Sequence, residues 1–437
     1  MTEPLLNAWL DELERLASAY FWHEVDEVTG LVRDKSSATA PASIAGSGFA
    51  LTSYAIAAER GYFPRAEAAK RARRALQFLC EAPQGDGDDA IGVHGFFYHF
   101  LDMRSGRRVW DCELSTIDSS ILFAGALAAA AYFDRDTVDE RDIRTRADAL
   151  YRRADWQWAL DGGPMVSLGW HPNKGFLKYR WSGYSEALLL YVLGLGSPTH
   201  PLPASTYDEW CKSYQWKQLC GYEFVYAGPL FIHQLSHCWI DFRNIRDAYM
   251  RGRAIDYFEN SRRATFAQRE YATLNPRAFA AYGPDCWGIT ASDGPGPATR
   301  TIDGRVRRFW EYRARGVPYG PDDGTLSPWA LLASLPFAPE IVTSATKAVA
   351  AKYPDLARKY GFAASFNPTF RTAESSASGW ISPFHFAINQ GPVALMIENF
   401  RSDLIWRLMR GCPYIVTGLQ RAGFEGGWLE SAAPDNG

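Results

Sequence analysis

The sequence lacks the signatures of several common protein classes. Its seven cysteines form no CxxC pair and show no metal-binding spacing, so we expect mostly buried free thiols, which fits a reducing compartment. Lysine and arginine number 46 against 49 aspartate and glutamate, for a net charge of −3. A nucleic-acid surface normally carries a basic excess. We therefore expect no nucleic-acid partner.

Long apolar runs and a leader are also missing. No stretch reaches the roughly 18 apolar residues that a membrane span needs. Residues 1–16 (MTEPLLNAWLDELERL) are acidic and amphipathic, without a basic n-region or a small-residue cleavage site. We expect no membrane span and a cytoplasmic location, and a periplasmic one stays open if the sequence is part of a longer chain. Oligomeric state cannot be read from the sequence.

Nucleotide-binding and serine-hydrolase motifs do not occur either. There is no GxxxxGK[ST] loop, no GxGxxG in a strand–helix context and no GxSxG elbow. His233 and His237 have the i,i+4 spacing of a metal pair, but Gln234 stands where HExxH has glutamate. We expect no metal and no cofactor, and we interpret both histidines as hydrogen-bonding residues.

Aromatic residues, in contrast, are abundant. They make up 14% of the chain, with 16 Trp and 22 Tyr. Such side chains combine an apolar face with a polar group and suit wet recognition surfaces, and flat rings stack on the C–H faces of sugars. A large aromatic core is the alternative explanation.

Helical periodicity dominates the chain. Residues 41–59, 114–133 and 183–194 are apolar nearly all round, and amphipathic segments at 64–82 and 138–154 follow the first two. Further helical segments are expected at 229–250, 253–273, 325–335, 338–352 and 386–408. Alternation of buried and amphipathic helices predicts an all-α toroid with an inner and an outer ring and about six inner helices. We expect one domain over 1–437, with 1–39 as an N-terminal helical extension.

Long loops interrupt these helices. Gly- and Pro-rich stretches lie at 195–205, 282–297 and 316–328, and residues 92–110 read as a β-hairpin that turns at 104–106. Sites are often built from long ordered loops on a rigid scaffold, so these segments are expected to surround the site.

Two carboxylates lie where burial is expected. Asp118 is inside the apolar segment 114–133, which Glu113 opens, and Glu186 begins the apolar run that follows Trp181. Desolvation raises the pKa of a carboxyl, as a general acid near neutral pH requires. A hydrogen-bonded structural Asp and ordinary first-turn Glu residues are the alternatives.

Other polar clusters supply further candidates. Glu259, Asn260 and Arg263 lie in IDYFENSRRATFAQ, which also reads as an outer helix with salt bridges. Asp293 lies in YGPDCWGITASDGPGP, whose glycines and prolines can hold it towards a ligand. Many carboxylates together with many aromatics are typical of a sugar hydrolase with two acids flanking the bond.

Several strings resemble the glycoamylase-like family, which includes bacterial endo-β-1,2-glucanases and the cyclisation domain of cyclic β-1,2-glucan synthases. They are GSGFALTSYAIAAERG, ELSTIDSSILFAGAL, GYSEALLLYVLGLGSPTHP, HQLSHCWIDFRNIRDAYM, IDYFENSRRAT, NPRAFAAYGPDCWGITASDGPG, DDGTLSPWA and IENFRSDLIW. The resemblance runs from about residue 40 to 425. It implies an (α/α)6 barrel that acts on β-1,2-linked glucose, with Glu186 as the general acid and Asp118 at a position that carries Asp or Glu in the cleft. The chain lacks the synthases' membrane and transferase regions, which favours a free-standing hydrolase.

We therefore expect a glycoside hydrolase of β-1,2-glucan or its oligosaccharides, in which Glu186 protonates the glycosidic oxygen. The second carboxylate is expected among Asp118, Glu259 and Asp293. Stacking residues are expected to be Trp181, Tyr184, Trp239, Trp287 and Trp380, and hydroxyl-binding or acid-tuning residues His200, His233, His237, Arg243, Asn260 and Arg263. A retaining transglycosylase on the same glucan and a non-catalytic glucan-binding protein are the alternatives.

Overall fold

The computed structural model describes residues 3–85 and 87–431. These residues form fifteen α-helices: α1 Glu3–His23, α2 Ile44–Glu59, α3 Arg65–Glu81, α4 Thr116–Tyr132, α5 Val138–Arg152, α6 Ala187–Gly196, α7 Ala204–Lys212, α8 Ala248–Arg251, α9 Tyr257–Leu274, α10 Pro328–Ala333, α11 Pro339–Lys352, α12 Ala387–Ser402, α13 Leu404–Arg410, α14 Pro413–Arg421 and α15 Trp428–Ser431.

Short antiparallel strands fill the connections between helices. They are β1 Ala42–Ser43, β2 Gly92–Val93, β3 Phe96–Tyr98, β4 Phe100–Leu101, β5 Leu114–Ser115, β6 Gly169–His171, β7 Gly175–Phe176, β8 Trp216–Leu219, β9 Tyr222–Val225, β10 Ala291–Ser292, β11 Ala298–Ile302, β12 Arg305–Phe309, β13 Arg313–Ala314, β14 Ala357–Arg358, β15 Gly361–Phe362, β16 Phe366–Asn367 and β17 Trp380–Ile381. The largest sheet has the order β2-β3-β5-β6-β7, and the other described strands pair two by two.

Six helical segments pack side by side in a closed sequence. Helix α2 contacts α4, α4 contacts α6, and α6 contacts a pair of 3₁₀ turns at Leu230–His233 and Leu235–Cys238. These turns contact α10, α10 contacts α12, and α12 returns to α2. The apolar character of the segments explains this arrangement, since residues 44–57 of α2 and all of α6 are buried.

Amphipathic helices cover this ring from outside. Helix α3 packs on α2 and α5, α5 on α4, α14 on α6, α9 on the first 3₁₀ turn, and α11 on α10. Helix α1 packs on both α2 and α12 and joins the same hydrophobic core. The architecture is therefore helix-rich, with an inner and an outer layer.

The contact between α2 and α4 depends on two glycines. A Cβ atom added to Gly125 would stand 1.9 Å from the carbonyl oxygen of Gly48, and one added to Gly48 would stand 2.5 Å from that of Ile121. Any larger residue would force the two helices apart. This explains why glycine occupies the middle of both apolar helices despite its low helix propensity.

Two expected helices differ from the structure. Residues 229–250 do not form one helix, because two 3₁₀ turns and an irregular segment precede the four-residue α8. The segment 386–408 is divided at Asp403, which adopts a left-handed conformation with φ of 57° between α12 and α13. Apolar periodicity predicted burial at both places, but it does not distinguish a continuous helix from shorter turns.

Two separate small sheets lead into the inner helices α2 and α4. Strand β1 leads into α2 and pairs with β4, while β5 leads into α4 and pairs with β3 and β6. Residues 92–110 thus contain β2, β3 and β4, and Asp102 closes the turn that follows by bonding to Arg107. Among the described helices, none is both long and apolar enough to cross a membrane.

Candidate active site

A histidine between two carboxylates marks the end of the ring where α2 and α4 begin. Strand pairing sets Tyr98 opposite Leu114, so the next residues, His99 and Glu113, face each other. The backbone N–H of His99 donates to the Glu113 carbonyl oxygen at 2.9 Å, and its Nδ1 lies 2.9 Å from Glu113 Oε1. On the other side, His99 Nε2 is 3.6 Å from Asp118 Oδ1.

Asp118 lies in the first turn of α4, where local bonds fix its carboxylate. Ser115 is the N-cap, whose hydroxyl accepts from the Asp118 N–H at 3.2 Å and also donates to Oδ2 of the same residue. The Asp118 side chain is 11% exposed. The carboxylate is therefore held at the start of the helix and keeps a small exposed surface.

Glu186 is the residue immediately before α6 and is half-buried. Its carbonyl oxygen accepts from the Ser236 hydroxyl at 3.1 Å, and the same hydroxyl accepts from the Leu189 N–H at 3.1 Å. Burial raises the pKa of Glu186 to about 7, and the negative charge of Asp118 acts in the same direction. Its carboxyl can therefore hold a proton near neutral pH while Asp118 lies within electrostatic range.

The charges around His99 oppose the effect of its burial. Burial by itself would lower the pKa of His99, but Asp118, Glu113 and Asp34 raise it to about 9. In return, the hydrogen bond from His99 lowers the pKa of Glu113 although burial acts in the opposite direction. The histidine is thus an imidazolium among carboxylates at neutral pH.

Asp34 reaches the cluster from the loop before α2. Its carbonyl oxygen accepts from the Ala387 N–H at 2.8 Å, which joins this loop to the start of α12. Burial raises the pKa of Asp34 to about 6, although His99 and Lys35 act in the opposite direction. Lys35 extends over the ring of Phe384, with Nζ 4.8 Å from the ring centroid.

Asp293 enters from the loop after α9. One oxygen of its carboxylate accepts from the Ser382 hydroxyl at 2.9 Å, and its carbonyl accepts from the Ser365 hydroxyl at 2.8 Å. Tyr312, which is 51% exposed, lies on the same long segment. Its phenol is within electrostatic range of Asp34, Asp118, Glu186 and Asp293, which indicates that these four carboxyl groups lie at the same end of the ring.

Of the four carboxylates expected to act in catalysis, Glu259 does not join this cluster. It lies in the first turn of α9 and accepts from Arg263 Nε at 2.8 Å. Both side chains line a surface depression with Tyr222 and Phe266, next to β9. The structure therefore agrees with the outer-helix interpretation of this segment, and the same contact removes Arg263 from the site.

Three of the aromatic residues expected to stack on sugar are buried in the core. Trp239 has no exposed surface, lies 5.0 Å from Phe49 between ring centroids, and donates from Nε1 to Thr52 at 3.0 Å. Trp287 is 1% exposed and Tyr184 is 6% exposed. None of the three can present a face to a ligand in this structure, so the aromatic-core explanation is correct for them.

Both histidines of HQLSHCWIDFR are also buried. His233 Nε2 contacts the Ala227 carbonyl at 3.3 Å, and His237 Nε2 contacts the Ser261 hydroxyl at 3.0 Å. Burial lowers the pKa of His233 to about 4 and that of His237 to about 3. They are neutral packing residues and do not contact the acids of the cluster through any described bond.

The other expected hydroxyl-binding residues lie elsewhere. Arg243 forms ion pairs with Asp241 and Asp403, and Asn260 is buried and accepts from the Val225 N–H at 2.8 Å. His200 is exposed beyond the C-terminal end of α6. Because Glu186 precedes the ten residues of this helix, the two residues are separated by about 15 Å of helix length.

Two predicted aromatic residues remain near the cluster. Trp181 is half-buried and donates from Nε1 to Thr116 at 3.0 Å, which joins the segment before Glu186 to the first residue of α4. Trp380 is half-buried in β17, two residues before Ser382. Within residues 3–85 and 87–431, no group of three or more His, Cys, Asp or Glu side chains is arranged to hold a metal ion.

Sequence reasoning missed Asp34, His99 and Tyr312 and left the role of Glu113 open. A histidine within FFYHF carries no motif, and only strand pairing reveals its partner. Asp34 precedes α2, a largely buried helix of the ring, and that position was the only available signal.

Known proteins resemble the chain over nearly its full length. The glycoamylase family model, described as "Putative glucoamylase", matches residues 178–413. The chain belongs to this family. A solved structure from Bacteroides uniformis, described as a putative glucoamylase, has a TM-score of 0.85 and 30% identity over 98% of this chain and 99% of that one. The likeness shows that this glycoamylase-family member shares the helix-rich fold of that protein.

Two further relatives have described activities. The endo-β-1,2-glucanase of Chitinophaga pinensis, solved with sophorotriose and glucose, has a TM-score of 0.84 and 27% identity over 97% of this chain and 99% of that one. An exo-β-1,2-glucooligosaccharide sophorohydrolase (non-reducing end) of Parabacteroides distasonis is 26% identical over 94% of this chain. The chain spans 57% of the length of that curated relative.

Proposed function

We propose that this glycoamylase-family chain is a glycoside hydrolase that cleaves β-1,2-glucan or oligosaccharides derived from it. The observation that carries the proposal is the meeting of Glu186 and Asp118 at one end of the ring, where the pKa of Glu186 is raised to about 7. Hydrolysis of a glycoside needs one protonated and one ionised carboxyl group. The β-1,2-linkage is supported by the activities described for the Chitinophaga and Parabacteroides proteins.

Glu186 is the proposed general acid. Burial raises the pKa of its carboxyl to about 7 although a hydrogen bond from its own backbone N–H acts in the opposite direction, so the group can carry a proton at neutral pH. Its half-buried position lets it reach a glycosidic oxygen. The proton passes to that oxygen as the glycosidic bond breaks, so the leaving sugar departs as a neutral alcohol.

Asp118 is the proposed second carboxylate. Its Oδ1 lies 3.6 Å from Nε2 of His99, and its negative charge acts to raise the pKa of Glu186. An ionised carboxylate here can stabilise positive charge at the anomeric carbon and take the proton from an attacking water. Asp293 lies at the same end but is tied to Ser382, so we assign it to substrate binding.

The scaffold proposed for this site is an (α/α)6 toroid in one catalytic domain. The closed packing order of α2, α4, α6, the 3₁₀ pair, α10 and α12 supports six inner segments. Helix α1 shares the core with the ring, which supports inclusion of the N-terminal extension in the same domain.

Product analysis with linear β-1,2-glucan tests the proposal. Wild type is expected to release short oligosaccharides with a matching rise in reducing ends, and Glu186→Gln and Asp118→Asn are expected to lose at least 100-fold in kcat. Glu259→Gln is the matched control, because it removes an acid held by Arg263 outside the cluster, and it should keep wild-type activity.

Three outcomes contradict the proposal in different ways. Longer or cyclic products with a constant number of reducing ends show a transglycosylase. Cleavage of β-1,3-, β-1,4- or α-1,4-glucan in place of β-1,2-glucan refutes the linkage. Binding of glucan without any change in its length shows a non-catalytic binding protein.

A further inference from the structure

His99 is the one described cation that lies directly between two carboxylates of the candidate site. Its Nδ1 is 2.9 Å from Glu113 Oε1 and its Nε2 is 3.6 Å from Asp118 Oδ1. We propose that His99 is a positioning residue that holds the Asp118 carboxylate in place and supplies positive charge beside it, and that Glu113 fixes the His99 ring for this task. The inference rests on the proposed function, because Asp118 is the second carboxylate only in that reaction.

Three contacts fix the orientation of the His99 imidazole. Backbone pairing of His99 with Glu113 sets the side chain on the same face as the Glu113 carboxylate. The ring of Phe100 lies against the imidazole at 3.9 Å between centroids and 14° between planes. Since Glu113 Oε1 is an acceptor, it fixes the proton on Nδ1 and directs Nε2 to Asp118.

The positive charge of the His99 imidazole acts on the carboxylates that surround it. Asp34, Glu113 and Asp118 all act on His99, while Lys35 acts on Asp34 and Arg108 on Glu113. Like charges at short range favour protonation of one of them. The imidazolium supplies positive charge next to Asp118 and so offsets part of this repulsion.

A chemical shift titration tests the contact without any substrate. With ¹³Cε1-labelled histidine, the His99 signal, assigned by its absence in His99→Gln, is expected to titrate well above pH 7. Asp118→Asn and Glu113→Gln should each lower its midpoint by at least one pH unit, because each removes one negative partner. Unchanged midpoints in both variants would overturn the contact. His94, which lies 3.7 Å from Asp155, is the control signal and should not move.

The pH dependence of kcat/KM on linear β-1,2-glucan tests the role. His99→Gln keeps a hydrogen-bond donor but removes the charge, so the acidic limb is expected to shift up by about one unit, which gives about a tenfold loss at pH values below both midpoints. KM should change by less than about twofold. His99→Phe removes donor and charge and should lose activity at every pH, whereas His94→Gln should behave as wild type.

The results separate the inference from the proposed function. A wild-type protein that leaves β-1,2-glucan intact refutes the proposed function, while the titration of His99 still reports its coupling to Asp118. A His99→Gln variant that hydrolyses the glucan with an unshifted acidic limb refutes the positioning role and leaves the hydrolase in place. Thermal unfolding of each variant identifies losses that come from misfolding.

Discussion

Arg315 and Asp323 form a two-pronged ion pair with no solvent-exposed surface on either side chain. Arg315 Nε donates to Asp323 Oδ1 at 2.7 Å and Nη2 donates to Oδ2 at 2.9 Å. The same guanidinium donates to the carbonyl oxygens of Ser292 at 2.6 Å and Trp310 at 3.0 Å. One buried group thus holds both ends of the segment that carries Asp293 and Tyr312.

Removal of one partner of this pair should be costly. We expect Asp323→Asn to lower the free energy of unfolding by about 3–5 kcal/mol, because it leaves an uncompensated buried charge. Urea unfolding measures the effect. The exposed pair of Arg262 and Glu340 is the control, and Arg262→Gln should cost less than about 1 kcal/mol. Equal losses in both variants would contradict the role of burial.

The alkaline limb of the activity profile should report Glu186. Since its pKa is raised to about 7 and the acid must be protonated to act, kcat/KM is expected to fall about tenfold per pH unit above 7. A pH series with linear β-1,2-glucan measures this limb. A limb below pH 5 would show that Glu186 is not the acid, and Glu186→Gln should be inactive across the whole range.

Substitution of a buried and of an exposed tryptophan should affect fold stability and glucan binding separately. Trp239→Ala is expected to destabilise the fold by about 3–5 kcal/mol, because it empties a fully buried site. Trp110, which is 65% exposed and contacts Phe100 next to His99, should behave in the opposite way. Trp110→Ala should change unfolding by less than about 0.5 kcal/mol and raise KM for the glucan. An unchanged KM would remove Trp110 from the substrate surface.

A second acidic pair at the other end of α2 should make stability depend on pH. Burial and the Glu398 carboxylate raise the pKa of Glu14 from its ordinary 4.5 to about 9. A carboxyl whose pKa is higher in the folded state stabilises the fold fully below pH 4.5 and loses this contribution as pH rises towards 9.

Glu14→Gln, which resembles the protonated form, removes that dependence. Its free energy of unfolding is expected to gain at least about 1 kcal/mol on wild type between pH 5 and pH 9. Glu12→Gln is the control on the same helix, since Glu12 is exposed and paired with Arg15. If the free energies of unfolding of Glu14→Gln and wild type changed in parallel with pH, this would contradict the raised pKa of Glu14.

The helices were more predictable from the sequence than the partners of single residues. Apolar stretches around Ile121 and Leu190 located inner helices to within a few residues, because burial on all sides leaves a strong pattern. The same pattern could not separate a tryptophan that faces sugar from one that fills the core. Trp239 and Trp287 are core residues, and only packing shows this.

The residues of the candidate site also differ in how well the sequence predicts them. Glu186 and Asp118 stand out as acids in apolar surroundings, and the structure brings them to one end of the ring. His99 depends on the register of β3 and β5, two short strands separated by β4 and a loop, and Glu259 lies on an outer helix whose polar residues resemble a site in sequence. A strand register of this kind leaves no pattern in the residues around His99.

The direction of the inner helices has an electrical consequence. Helices α2, α4, α6 and α12 all begin at the end of the ring that holds the cluster, so the positive ends of their dipoles lie there. Each helix start carries the equivalent of about half a positive charge, so four of them approach the charge of two cations. The chain can therefore gather acids at this end without an equal number of basic side chains. The direction of the chain in the inner helices therefore determines which end of the ring can accommodate several acidic residues.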